Sequence, residues 1–160
     1  MLSIRIATLK ELQQLILCEK EIMDEDKNQM SKEYYHYRVL KLNSTEYSSE
    51  MKKKDNLFLV AIKDNTIVGV VRGSERADGA FSLKFIGLKK QFRKKGIAPQ
   101  LLEEFEKNVK KRNITTIVVE MYLDPVYASF FKLSGFSKEA TLKNHILNQD
   151  LDIFIKKVTI

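Results

Sequence analysis

The pattern of apolar and polar positions predicts a β-strand at the N-terminus, followed by helices. Residues 2–7 alternate apolar and polar side chains, which is typical of a strand with one buried face. Thr8 and Glu11 then have the spacing of a helix capping box, and apolar residues recur at helical intervals after them. Residues 31–42 predict a second helix, whereas the polar residues 43–55 fit either a short helix or a mobile loop.

The middle of the chain predicts an antiparallel meander and then a crossover. Residues 56–88 hold β-rich segments separated by turn signals. Apolar residues at helical spacing follow between Leu101 and Val109. Residues 114–122 are β-branched and almost continuously apolar, as in a strand covered on both faces. Because a helix joins the strand before it to the strand after it, those two strands should be parallel.

The last part of the chain predicts one more helix and a final pair of strands. Asp124 and Pro125 are start signals for a helix, and Gly135 is a stop signal. Residues 136–146 and 150–160 have the pattern of an antiparallel pair. The whole pattern predicts an α/β fold, a central mixed β-sheet flanked by helices, in a single domain over residues 1–160.

Composition excludes several classes of protein. No apolar run approaches the ~20 residues of a membrane helix, and the N-terminus lacks the apolar core of a signal peptide. We therefore predict a cytoplasmic protein without a membrane partner. The only cysteine, Cys18, lies among apolar helical positions and is predicted to be a core residue. No metal centre is predicted, because the two histidines are isolated. A net charge of +7 suits an anionic partner.

Residues 91–102 place cations and small residues between a strand and a helix, namely Arg93, Lys94, Lys95, Gly96 and Ala98. A helix N-terminus presents unpaired N–H groups and partial positive charge, which favour phosphate. Gly96 lets an anion approach the backbone without a Cβ in the way, whereas Pro99 removes one donor. The stretch is therefore either a phosphate-binding turn or a basic loop that caps a surface helix.

Two motifs in this part of the chain have the spacing of a known family signature. The pattern R/Q-x-x-G-x-G/A, after a strand with an apolar-x-apolar end, is matched by Ile86-Gly87-Leu88 followed by Arg93, Gly96 and Ala98. An aromatic residue, three spacers and Gly-Phe are matched by Phe131 and Gly135-Phe136. The sequence thus resembles the GNAT family of acetyl-CoA-dependent N-acetyltransferases. The resemblance covers most of the chain in element order, and it is specific between residues 80 and 136.

The resemblance implies a site for coenzyme A. The pyrophosphate would lie on the backbone of Phe92, Arg93, Lys94, Lys95, Gly96, Ile97 and Ala98. The pantetheine arm would bond to free main-chain groups of Ile86, Gly87 and Leu88, where the strand splays from its neighbour. A bulge at Gly87 would suit such a splay, and the N–H of Leu88 would stabilise the oxyanion. Asp124 would either accept a hydrogen bond from pantetheine or cap its helix.

The general acid and the general base of the reaction each have more than one interpretation. Phe131 stands where the family often has a tyrosine that protonates the leaving thiolate, and phenylalanine cannot do so. Glu120 is either a general base or a strand-end carboxylate that reaches solvent. Tyr127 and Tyr122 are either acids or packing residues. An aromatic cluster, Tyr34, Tyr35 and Tyr37 with His36, falls in the segment that usually shapes the acceptor pocket of the family.

The resemblance implies transfer of acetyl from acetyl-CoA to a primary amine, on a small molecule or a protein N-terminus, by direct attack in a ternary complex. A module that binds acyl-CoA with little catalysis is the alternative, and Phe131 is the residue that favours it. A basic nucleic-acid binder is disfavoured, because the aromatic residues are not interleaved with the cations. The sequence is compatible with a homodimer.

Overall fold

A computed structural model describes residues 1–122 and 124–159. Its strands are β1 (Leu2–Ile6), β2 (Asn56–Lys63), β3 (Thr66–Glu75), β4 (Phe81–Leu88), β5 (Thr116–Tyr122), β6 (Ser137–Ile146) and β7 (Gln149–Lys157). Its helices are α1 (Leu12–Asp26), α2 (Lys32–Lys41), α3 (Ser44–Lys52), α4 (Ile97–Lys110) and α5 (Pro125–Leu133). Within these residues, no helix has the length and apolarity that a bilayer crossing requires.

The strands form one mixed sheet in the order β1-β2-β3-β4-β5-β7-β6. Strands β4 and β5 are parallel, as the crossover through α4 predicts, and the other neighbours are antiparallel. The predicted meander and the predicted final pair of strands are both confirmed. The sheet therefore has a central point where a parallel pair is flanked by antiparallel strands.

Two apolar layers cover the sheet, one on each face. Helices α4 and α5 cover one face, where Phe81, Phe105, Phe131 and Phe154 are all buried. On the other face, α1 and α3 pack against β2, β3 and β4. Cys18 lies in this second layer and is 1% exposed, as predicted. Its burial raises the pKa of the thiol to about 12, so it is protonated at neutral pH and is no nucleophile.

The polar residues 43–55, whose sequence fits either a short helix or a mobile loop, contain helix α3. Asn43 caps this helix, because its side chain accepts a hydrogen bond from the N–H of Glu46 at 3.0 Å. Tyr47 is the buried anchor of the helix and packs against Phe58 with ring centroids 5.4 Å apart. A cap and one aromatic anchor thus order a segment whose apolar periodicity is weak.

The predicted capping box at Thr8 and Glu11 is present at the turn before α1. Glu11 accepts a hydrogen bond from the N–H of Thr8 at 2.8 Å and is paired with Arg5 at 2.6 Å. The hydrogen bond from Arg5 lowers the pKa of Glu11 from 4.5 to about 2. A carboxylate with a lowered pKa stabilises the fold above its unfolded pKa, and that stability is lost as pH falls through the folded value.

We expect Glu11→Gln to lower the free energy of unfolding by about 0.5–1 kcal/mol at pH 7, a small loss because water screens the half-exposed Arg5. The difference from wild type should shrink as pH falls from 4.5 towards about 2, since Glu11 then becomes neutral. Urea unfolding at a series of pH values measures this difference. A difference that does not change with pH would show that the charge of Glu11 is irrelevant.

Candidate active site

Strands β4 and β5 separate part of the way along their length. They pair only where Phe81–Leu83 faces Ile117–Val119. Beyond that point, residues 84–88 of β4 and 120–122 of β5 have no pairing with each other in the described structure. A wedge-shaped gap therefore opens in the sheet, as the family resemblance implies.

The irregularity in β4 lies at Lys84, and the predicted bulge at Gly87 is wrong. Phe85 pairs with Arg72 and Leu83 pairs with Gly73, so Lys84 is the extra residue on its strand. Gly87 keeps its register with the neighbouring strand. A Cβ on Gly87 would lie 2.8 Å from Cγ2 of Ile22. The glycine is thus required for the close approach of α1 to the sheet.

The phase of the β3–β4 ladder decides which backbone groups face the gap. The N–H of Lys89 donates to the carbonyl of Val68 at 3.0 Å. Because hydrogen-bonded pairs alternate along an antiparallel ladder, Gly87 directs its polar groups towards β3. The N–H and C=O groups of Ile86 and the N–H of Leu88 are directed into the gap, where a ligand can reach them, whereas the Leu88 carbonyl accepts a hydrogen bond from Arg93.

The loop before α4 has the geometry of an anion site. Lys94 and Gly96 both have left-handed backbones, with φ values of 58° and 73°. In the described part of the chain, the N–H groups of residues 94–98 have no hydrogen-bond acceptor. Gly96 is the N-cap of α4, and a Cβ there would point into open space. Successive free N–H groups at a helix N-terminus form a cradle that suits phosphate.

The side chain of Arg93 is occupied by protein groups. Its Nε donates to the carbonyl of Leu88 at 2.9 Å, and its Nη1 donates to Asp26 Oδ1 at 2.8 Å. A further bond joins Nη2 to Glu25 Oε2 at 3.2 Å. The guanidinium thus ties the loop to β4 and to the end of α1.

Other predicted residues around the loop have packing contacts. Ile97 is buried in the core beneath α4. The ammonium of Lys95 lies over the ring of Phe92, 5.8 Å from its centroid. Asp124 is 3% exposed and caps α5, accepting a hydrogen bond from Val126 N–H at 2.7 Å. Of the two roles that the sequence allowed for Asp124, the structure therefore shows capping of helix α5.

Three cavities meet at the gap between β4 and β5. The loop groove, of 470 Å³, lies beside the basic loop and α5 and is lined by Gly87, Lys94, Gly96 and Val126. The waist, of 40 Å³, lies between the separating strands and is lined by Leu83, Met121 and Phe131. The helix groove, of 710 Å³, lies under α2 and α3 and is lined by Tyr34, Tyr37 and Tyr47.

Shared lining residues connect the three cavities. Ile86 and Tyr127 line both the loop groove and the waist. Arg38, Lys84 and Glu120 line both the waist and the helix groove. The waist is therefore adjacent to both the loop groove and the helix groove.

Glu120 lies on the helix-groove side of the waist. It follows Val119, the last residue of β5 that pairs with β4. Its side chain is 46% exposed and forms a salt bridge with Arg76 at 3.2 Å. Tyr122 is on the same face of the strand, where it packs against Tyr34 with ring centroids 6.2 Å apart. Burial raises the pKa of Tyr122.

Tyr127 is held by a carboxylate that the sequence did not point to. Its hydroxyl donates to Asp26 Oδ2 at 3.1 Å, on the carboxylate that also binds Arg93. Burial raises the pKa of Tyr127 well above 10, so the phenol is neutral and its proton is directed to Asp26. Phe131 borders the waist and packs on Phe136, with ring centroids 5.2 Å apart.

Of the residues in the predicted aromatic cluster, Tyr34 and Tyr37 line the helix groove. Tyr35 instead bonds through its hydroxyl to Asp24, and His36 is exposed. Among residues 1–122 and 124–159, no group of three or more His, Cys, Asp and Glu side chains is placed to hold a metal ion.

Comparison with known proteins identifies relatives of this arrangement. The profile of a family described as an acetyltransferase (GNAT) domain matches residues 20–149. No curated protein matches the chain significantly. The PaiA N-acetyltransferase of Thermoplasma acidophilum, solved in complex with coenzyme A, is 25% identical. The alignment covers 99% of each chain with a TM-score of 0.85.

Two other solved structures share the fold at lower identity. The ribosomal-protein-S18-alanine N-acetyltransferase of Escherichia coli is 13% identical, with a TM-score of 0.78 over 100% of this chain and 96% of that one. A candidate streptothricin acetyltransferase of Bacillus anthracis, solved with acetyl coenzyme A, is 17% identical. Its TM-score is 0.64 over 71% of this chain and 68% of that one.

Proposed function

Because this chain belongs to the acetyltransferase (GNAT) domain family and is an acetyl-CoA-dependent N-acetyltransferase, we propose that it transfers acetyl directly to a primary amine bound in the helix groove. The observation that carries this proposal is the waist, which connects the loop groove with the helix groove. Direct attack is favoured because the single cysteine is buried and protonated.

The cofactor would enter through the loop groove. Its pyrophosphate would accept hydrogen bonds from the free N–H groups of residues 94–98, with Lys94 adding charge. The pantetheine arm would run along β4 and pair with the gap-facing groups of Ile86 and Leu88, in place of the missing strand partner. The thioester would then reach the waist.

The oxyanion donor is proposed to be the N–H of Ile86, in place of Leu88. Leu88 lies beside the basic loop, and its carbonyl is already bonded to Arg93. It lines the loop groove, whereas Ile86 lines the waist as well. The negative charge develops on the acetyl oxygen at the waist, where a fixed N–H donor lowers the barrier most.

Glu120 is proposed to be the general base. An amine is protonated near neutral pH, and it must lose that proton before it attacks the thioester. Glu120 borders both the waist and the helix groove, so it can take the proton directly or through one water molecule. The ion pair with Arg76 is half-exposed and uses one carboxylate oxygen, and the second oxygen has no partner among residues 1–122 and 124–159, so it can accept the proton.

The remaining predicted catalytic residues are assigned supporting roles. Phe131 has no hydroxyl, and the proton of Tyr127 is directed to Asp26. Tyr127 therefore orients Asp26 and Arg93 and borders the reacting sulfur, and Tyr122 packs against Tyr34. Coenzyme A would leave as a thiolate, and the second proton that the amine nitrogen loses on forming the amide would reach that thiolate through water. The alternative, a binding module without catalysis, would share every contact except the use of Glu120.

Amine-dependent release of coenzyme A thiol from acetyl-CoA tests the proposed function. We expect sustained release with at least one member of a panel of primary amines, and a rise in melting temperature with acetyl-CoA alone. A ligand at 100 times its dissociation constant adds about 2.7 kcal/mol to the free energy of unfolding. Stabilisation without release for any amine would favour the binding module. No stabilisation at millimolar acetyl-CoA would contradict the cofactor site.

A further inference from the structure

A buried carboxylate behind the wall of the helix groove lies close to two guanidinium groups that line the groove. Glu19 is 0% exposed. Arg72 donates to it twice, from Nε to Oε2 at 3.0 Å and from Nη2 to Oε1 at 2.7 Å. Tyr47 donates its hydroxyl to Oε2 at 2.9 Å. Nη2 of Arg38 lies 4.0 Å from Oε1, beyond hydrogen-bond distance.

This cluster carries an excess positive charge next to a cavity. Glu19 balances one of the two guanidinium groups, and Arg72 has the bidentate bond. The other charged groups of the helix groove are paired, Lys41 with Glu46 at 3.4 Å, Lys84 with Glu50 at 3.7 Å and Glu120 with Arg76 at 3.2 Å. Among the described residues, Arg38 is therefore the cation of the groove whose nearest carboxylate oxygen is farthest away, at 4.0 Å on Glu19. A half-buried charge of this kind is stabilised by an anion.

The guanidinium of Arg38 is fixed in its direction. Its Nη1 donates to the hydroxyl of Tyr34 at 3.0 Å, and its Cζ lies 5.7 Å from the centroid of the same ring. Arg72 also lines the groove, and its Nη1 has no acceptor in the part of the chain that the structure describes. Both guanidinium groups thus line one cavity, and guanidinium N–H groups are donors that suit a carboxylate or a phosphate.

We propose that the acceptor is an amine that also carries an anionic group, a carboxylate or a phosphate, which Arg38 and Arg72 bind in the helix groove. This inference rests on the proposed function. Arg38 borders the waist and the groove, on the same cavities as Glu120. An anion held by Arg38 therefore leaves the amine of a short acceptor close to the general base and the thioester.

Matched pairs of amines test the inference. Lysine with cadaverine and tyrosine with tyramine differ by a carboxylate, and phosphoethanolamine with ethanolamine differs by a phosphate. Calorimetry in the presence of coenzyme A measures their binding without turnover, and thiol release measures kcat/KM. We expect the anionic member of at least one pair to bind about 10- to 100-fold more tightly, the effect of a hydrogen bond to a charged group. The carboxylate and phosphate pairs distinguish the two sources of charge.

Arg38→Gln should remove this preference, because the anionic member of each pair should lose its advantage in binding of about 10- to 100-fold. Arg38→Lys, which keeps the charge and loses the fork, should retain part of it. Lys107→Gln is the control, because that residue is an exposed cation on α4, on the opposite face of the sheet. Coenzyme A affinity should be the same in all three variants.

Three results would overturn the inference. Equal binding of both members of every pair would exclude an anion site. A preference for a polycationic amine such as spermidine would show that the helix groove binds cations. An equal loss of kcat with all amines in Arg38→Gln would place Arg38 at the oxyanion. Arg38-dependent binding of an anionic amine without acetyl transfer would confirm the anion site and would contradict the proposed function.

Discussion

Gly96→Val is expected to weaken acetyl-CoA binding by about 100-fold or more, a loss of about 2.7 kcal/mol. Gly96 is the N-cap of α4 and has a φ of 73°. A Cβ at this position points into the open space of the loop groove, where the nearest group is the side-chain amide of Gln100 at 4.0 Å. A branched side chain would fill the space that the pyrophosphate oxygens need to reach the free N–H groups.

Gly79→Val is the matched control for this prediction. Gly79 also has a left-handed backbone, with φ of 85°, and nothing lies within 4 Å of a Cβ built there. Both variants therefore carry similar backbone strain, and only Gly96→Val obstructs the loop groove. Calorimetric affinity for acetyl-CoA, measured beside the melting temperature, separates strain from obstruction. Equal affinities in the two variants would show that the loop is an ordinary surface turn.

Glu120→Gln is expected to lower kcat/KM for the amine by about 10²–10⁴-fold near pH 7, the usual contribution of a general base. The amide keeps the shape of the side chain and removes its ability to take a proton. The defect should diminish as pH rises towards the pKa of the acceptor amine, because more of the amine is then already deprotonated. Affinity for acetyl-CoA should not change, since Glu120 does not line the loop groove.

Glu103→Gln is the control for the loss of a carboxylate, because Glu103 is 64% exposed on α4. Tyr122→Phe and Tyr127→Phe, assayed in parallel, separate the base from the aromatic residues around the waist. Unchanged rates in Glu120→Gln would contradict its assignment as base. A loss of about 10²-fold in Tyr127→Phe alone would instead make its hydroxyl the catalytic group.

Local signals were sufficient to predict the elements of the fold and the turn before α4. Thr8 and Glu11 marked the first helix, and Gly96 marked the turn before α4, because capping and left-handed turns depend on few adjacent residues. The parallel pairing of β4 with β5 followed from the crossover between them. Such features are encoded over short stretches, and sequence patterns report them well.

Contacts between distant segments could not be predicted in the same way. Asp26 meets Arg93 across 67 residues of sequence and meets Tyr127 across 101. Neither contact leaves a periodic pattern, because each depends on how α1 docks against the sheet. The bulge was predicted at Gly87 and lies at Lys84 for a similar reason, because pairing with β3 decides the register of β4. The charge cluster of Glu19 and Arg72 is likewise a product of docking.

In the proposed reaction, acetyl passes directly from acetyl-CoA in the loop groove to an amine in the helix groove while both molecules are bound. Initial rates, measured by varying acetyl-CoA at several fixed concentrations of the best amine, test it most directly. Transfer in a ternary complex gives intersecting double-reciprocal lines and no acetylated protein when the enzyme is incubated with acetyl-CoA alone. Parallel lines, with an acetyl group on the protein detected by mass spectrometry, would contradict it.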